Sequence, residues 1–206
     1  MKWLIGSLCV FVLVTGVFPS TAAAQEFVEE SSTKKQFPKS VSFQHGGKEY
    51  SLSVTGVAVR KKLIFKVYGI AHYMDQAEFE DKNAALEAAL ADGHAKQITM
   101  DFARGVSVDK IQNAFRDGFK KHASDEEMDV ITTFADQFVG YFDKGVEKND
   151  QYVLRWLPDG IVLTTVQDEE KEPIANVTFA KVLWRIWLDK GSIVDRKKLV
   201  AMAVKE

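Results

Sequence analysis

Two segments that follow one another almost without interruption, Tyr50 to Arg60 and Leu63 to Met74, constrain this chain more than any other feature. Both are dense in the β-branched and aromatic residues that suit a pleated, half-buried surface. A short link between long strands makes an antiparallel pair, because a parallel one needs a crossover. Side chains alternate along a strand, so the second segment has two faces. Leu63, Phe65, Val67, Gly69, Ala71 and Tyr73 form an apolar one. Ile64, Lys66, Tyr68, Ile70, His72 and Met74 mix apolar bodies with phenol, imidazole and ammonium groups. That second face suits either the wall of a cleft covered by helices or a surface partly wetted by solvent.

The rest of the chain supplies partners for this pair. Val41 and Phe43 alternate with polar neighbours and run into His45-Gly46-Gly47-Lys48, a hairpin turn whose glycines accept positive φ. Ile98, Met100 and Phe102 alternate as a further strand, and Pro158-Asp159-Gly160 joins Tyr152–Leu157 to Ile161–Gln167 as a second hairpin. Helices are expected over 77–91, from Ser107 through Ile111, Phe115 and Phe119, after the capping box Ser124 to Glu127, over 176–188, and over 195–204. Hairpins together with consecutive helices predict an α+β architecture, an antiparallel sheet covered by helices.

The 206 residues, 46% hydrophobic and 27% charged, fit one folded domain, expected over 37–206. With 27 basic against 29 acidic residues and no one-sided block, nucleic acid is not an expected partner. Lys2, the apolar run Trp3 to Phe18, and Ala22-Ala23-Ala24 have the three-part form of a secretory signal peptide over 1–24, with cleavage after Ala24. Membrane contact is expected only through that leader. The only cysteine, Cys9, lies within it, so the mature chain carries no disulfide. Residues 25–36, polar and without an apolar period, read as a flexible leader. The exported chain is expected in a periplasm or outside the cell.

Signatures of chemistry are sparse. His45, His72, His94 and His122 are scattered, without metal-ligand spacing, and neither a nucleophile elbow nor a phosphate-binding glycine loop is present. No metal or cofactor is expected. Asp125, Glu126 and Glu127 suit a helix N-terminus without any catalytic role. Trp184 and Trp187 fall in the apolar stripe of the 176–188 helix and read as packing residues.

Gly56-Val57-Ala58-Val59-Arg60, followed by Lys66-Val67-Tyr68-Gly69-Ile70-Ala71-His72-Tyr73-Met74, resembles the opening strands of the chalcone isomerase-like family. The segment from Ile98 through Arg104 to Phe119, the Pro158-Asp159-Gly160 turn and the late Trp187-Leu188 extend the resemblance over roughly 37–204. It implies an open-faced β-sandwich with a ligand cleft between sheet and helices, most similar to an exported bacterial branch. In the plant enzymes of that family a phenolate closes onto an enone. An arginine stabilises the anionic charge, and a strand threonine, a tyrosine, an asparagine and a late hydroxyl residue complete the cleft. By position Arg60 matches the arginine, Tyr68 the threonine, Lys110 the tyrosine, Asp117 the asparagine and Arg185 the late hydroxyl residue. Only the arginine is retained, and charged groups in place of neutral ones change what the cleft can hold.

Other members of the family bind fatty acids, with the carboxylate on this arginine. The resemblance therefore implies a small-molecule ligand, and three functions stand side by side. The first is a non-catalytic binder of a fatty acid or similar anionic amphiphile, with Arg60 as anchor and Tyr68 as neighbour. The second is an intramolecular lyase (isomerase) in which Arg60 stabilises developing negative charge. The third is a structural or partner-binding protein in which Arg60 pairs with an internal carboxylate.

Overall fold

The computed structural model describes residues 25–76 and 78–205. The expected signal peptide, its cleavage site and Cys9 lie outside the described residues. The core of the fold is an antiparallel eight-stranded sheet built from β3 (Ser40–His45), β4 (Lys48–Lys62), β5 (Phe65–Met74), β6 (Lys96–Phe102), β7 (Gln151–Trp156), β8 (Ile161–Val166), β9 (Glu169–Glu170) and β10 (Ile174–Ala175). Its order is β10-β8-β7-β6-β5-β4-β3, with β9 beside β8. Both expected hairpin turns form: His45 pairs with Lys48, and Leu157 N–H donates to the Ile161 carbonyl at 2.8 Å across Pro158-Asp159-Gly160.

One face of the sheet carries α1 (Lys82–Leu90), α2 (Val108–His122), α3 (Asp125–Gly140) and α4 (Val177–Leu188). The main core lies between these layers. Ile70, Ile98, Met100 and Leu154 from the strands meet Phe115, Phe119, Phe138, Phe179 and Trp187 from the helices. Helix α4 is the most buried because its apolar stripe is wide; Val182, Leu183, Trp184, Ile186 and Trp187 are all inside. The capping box at Ser124 forms in full, with Glu127 bonding back to the Ser124 N–H.

Residues 25–36 are not a loose leader. β1 (Phe27–Glu30) pairs with β2 (Lys35–Pro38), and this ribbon covers the sheet face opposite the helices. Polarity misled the sequence reading, because the ribbon is fixed by few apolar anchors and several polar ones. Phe37 packs with Leu52, Ala71 and Tyr73. The buried Lys35 ammonium meets Asp101 and donates to Asn149 Oδ1 at 2.8 Å, and the Glu30 carboxylate accepts from Thr33 N–H at 2.7 Å and from its hydroxyl at 2.6 Å.

Two expected helices are shorter or absent. Asp81 accepts from Asn83 and Ala84 N–H and so starts α1 five residues later than its alanine-rich stretch suggests. Residues 195–204 run as successive turns: their internal bonds span three residues, as from Lys198 N–H to the Asp195 carbonyl at 3.0 Å, and other groups bond to β4 and to Phe79, with Met202 N–H reaching the Thr55 carbonyl at 2.8 Å. Among the described residues no helix is long and apolar enough to cross a membrane.

Candidate functional site

The β4–β5 pair loses register twice, between Val54 and Gly56 and between Arg60 and Lys61. At the second shift Arg60 faces Tyr68 while Lys61 already faces Lys66, so β5 has one residue more, Val67. Such a bulge reverses the side-chain alternation beyond it. Val67 and Tyr68 therefore both point to the helix side, followed by Phe65 and Leu63, and Lys66 turns to the other side to donate to the Ser32 carbonyl. Strict alternation puts Ile64 and Lys66 on the same face as Tyr68; the bulge replaces them there with Leu63 and Phe65.

Between this end of the sheet, α2 and the end of α4 lies a cleft of about 600 Å³, within the roughly 300–1,000 Å³ of small-molecule sites. Its depth is apolar, lined by Met100, Phe102, Ile111, Phe115, Ile186 and Trp187. Its polar groups are few. Arg60, half-buried on the wall, donates from Nη1 to the Lys61 carbonyl at 2.8 Å and to the Ile193 carbonyl at 3.1 Å. Among the described residues no carboxylate pairs with it, so two neutral carbonyls aim the guanidinium without cancelling its charge.

Tyr68, directly across the ladder from Arg60, is buried, and its oxygen accepts from the Trp187 indole N–H at 3.0 Å. Burial pushes the phenol up to about 12, although the Trp187 bond and the Arg60 charge act in the opposite sense. It therefore keeps its proton at neutral pH and offers it as a donor. Tyr152, in edge contact with Phe102 at 4.9 Å, brings a second phenol whose oxygen has no partner among the described residues. His122 Nε2, also buried on the wall, is equally unpartnered, and burial first, then the Lys121 charge, lowers its pKa.

Four of the five sequence-derived site residues line this cleft: Arg60 and Tyr68 on its wall, Lys110 and Asp117 along the exposed side of α2. Arg185 does not. Helix α4 crosses the start of α3, and Nη1 of Arg185 donates to both oxygens of the capping Glu127, at 2.9 and 2.7 Å, and to the His122 carbonyl at 3.1 Å. Its position in the helix was readable from sequence, but not which neighbouring element that face would meet. Sequence reasoning also missed Tyr152, His122, Lys62, Arg104 and Lys121, which no local pattern marks, and it gave Trp187 a packing role without the bond to Tyr68. Five cations, Arg60, Lys62, Arg104, Lys110 and Lys121, surround the cleft against the single carboxylate of Asp117, a balance that favours an anionic guest.

Comparison with known proteins agrees with this architecture. The model of the family described as chalcone isomerase-like matches residues 30–198. A crystal structure of a fatty-acid binding protein from Arabidopsis thaliana superposes with a TM-score of 0.67 at 16% sequence identity, covering 86% of this chain and 97% of that one. No curated protein matches by sequence.

Proposed function

The chain belongs to the chalcone isomerase-like family, and from that premise we propose that it is an exported, non-catalytic binder of a fatty acid or a similar small anionic amphiphile. One observation carries the reading: the Arg60 guanidinium stands at the wall of an apolar cleft, held by carbonyls and opposed by no carboxylate among the described residues. The carboxylate of the ligand supplies the missing anion, the Tyr68 hydroxyl donates a second bond, and the tail lies on Met100, Phe102 and Phe115. The fold shared with a plant fatty-acid binding protein supports a lipid guest, and the leader expected over 1–24 supports a periplasmic or secreted setting.

The isomerase reading uses the same arginine, but burial keeps the phenol at position 68 protonated, so Tyr68 serves there as a donor and not as a base. The structural reading needs an internal partner for Arg60, and the described residues provide one for Arg185 instead. Titration with a fluorescent fatty acid tests the proposal. Arg60→Ala removes a charge-assisted bond of about 1.5–3 kcal/mol, so affinity is expected to fall by about ten- to a hundredfold with little change in melting temperature. Unaltered affinity in Arg60→Ala, or turnover of a chalcone by the wild type, would overturn it.

A further inference from the structure

The β4–β5 turn is the most exposed apolar feature among the described residues. Leu63, Ile64 and Phe65 are 89%, 86% and 51% exposed, where a two-residue hairpin link ordinarily carries glycine, asparagine or aspartate. Leu63 even holds a left-handed backbone, φ 55°, a conformation in which a leucine is strained and glycine is not. Neither choice serves the fold. The flanks are as one-sided as the tip: Arg60, Lys61, Lys62 and Lys66 surround it, and residues 60–66 contain no acid. Arg104 lies over the Phe65 ring at 4.7 Å and adds another cation.

We propose that this tip is a docking element for an anionic lipid bilayer, through which the cleft exchanges its amphiphile with the membrane. Apolar side chains entering the interface while lysines meet anionic headgroups is the arrangement by which peripheral proteins bind such surfaces. Three projecting side chains are far too few for a protein partner, which needs about 800 Å² on each side. A bilayer sets no such minimum. Leu63 and Phe65 also line the cleft, so one apolar surface runs from the tip inward and gives a lipid tail a path that avoids water. The inference rests on the amphiphile-binding reading for its purpose, and it adds a membrane contact beyond the leader.

Flotation of the purified protein with phosphatidylcholine vesicles, with and without phosphatidylglycerol, tests it. The variants are Ile64→Glu and Lys61→Gln, neither of which lines the cleft. The wild type is expected to float only with the anionic vesicles and less so as salt rises. Ile64→Glu is expected to reduce binding by about tenfold or more, and Lys61→Gln by about fivefold with a shallower salt dependence. Both variants should still take up a fluorescent fatty acid from solution. Flotation of Ile64→Glu at the wild-type level, or no binding of wild type to anionic vesicles, overturns the proposal. So does a dimer in solution that Ile64→Glu dissociates, since the tip would then serve a second copy. If flotation behaves as expected and no fatty acid is taken up, the docking surface stands and the amphiphile-binding reading falls.

Discussion

The two bulges of the β4–β5 pair make opposite ends of one hairpin. At the end near Thr55, the chain fills the irregularity with its own backbone. Thr55 Oγ1 donates to the Leu199 carbonyl at 2.7 Å and lies 2.6 Å from His72 Nδ1, and Gly56 lies directly beneath the Lys198 carbonyl. At the end near Val67, the same device leaves a cleft, with a guanidinium, two phenols and an imidazole whose valences are only partly used. A bulge re-aims side chains at both ends; whether it ends as packed core or as open cleft depends on whether another segment of the chain covers it. The C-terminal turns close one end, and in the proposed complex a ligand closes the other.

The closed end should be the less tolerant of change. A Cβ on Gly56 would lie 2.0 Å from the Lys198 oxygen and 2.7 Å from the Leu199 carbonyl carbon, and both are backbone atoms that no rotamer change can move. Gly56→Val is expected to cost about 3 kcal/mol or more, a fall in melting temperature of roughly 6–12 °C for a domain of this size. A thermal melt by circular dichroism checks it. A melting point within a degree or two of wild type would mean that the C-terminal turns dock loosely, and the contrast between the two ends would disappear.

Acid probes the same end. Burial above all, then the Lys96 charge, depresses His72 to about 3 from its ordinary 6.5. The unfolded chain therefore binds a proton below pH 6.5 that the folded chain refuses, and stability is lost as pH falls from 6.5 toward 3. At pH 5 the loss from this group is about 2 kcal/mol. His122, depressed by burial as well, acts with the same sign. Lys96, lowered to about 7 by burial, changes its contribution only above that pH. Urea unfolding at pH 7 and pH 5 measures the slope, and His72→Gln should flatten it. An unchanged slope in that variant would place the acid sensitivity elsewhere.

What could be read in the sequence and what could not divide along the same line. Strand and turn chemistry is local, so the Gly46-Gly47 and Pro158-Asp159-Gly160 hairpins, the Ser124 capping box and the α+β architecture were legible. Arg60 and Tyr68 were legible as a pair because they belong to adjacent strands and a family resemblance marked the arginine. The bulge at Val67 was not, since one additional residue in a ladder leaves no compositional trace, and it decides that Phe65 and not Lys66 faces the cleft. Arg185 shows the other limit. Its helix was legible, but its partner, Glu127, is 58 positions away and was already assigned to a cap. Residues 25–36 read as a flexible leader because they show no apolar period, and the contacts that fix them, such as Lys35 with Asp101 and Asn149, come from residues distant in sequence.

The smallest expected effect belongs to the open end and separates its two polar neighbours. Tyr68→Phe keeps the ring but deletes the oxygen that accepts from the Trp187 N–H and, in the proposed complex, the proton donated to the carboxylate. Leaving that buried N–H unpaired costs about 1–2 kcal/mol of stability, and the lost bond to the ligand's carboxylate about 1.5 kcal/mol, or roughly tenfold in affinity. Trp187→Phe should produce much less of the affinity loss, because the phenol remains in place and only its positioning partner is gone. Melting curves alongside fatty-acid titrations distinguish the two contributions. If Tyr68→Phe lowers stability while affinity is unchanged, the phenol belongs to the packing of α4 on the sheet, and the open end holds its guest through Arg60 alone.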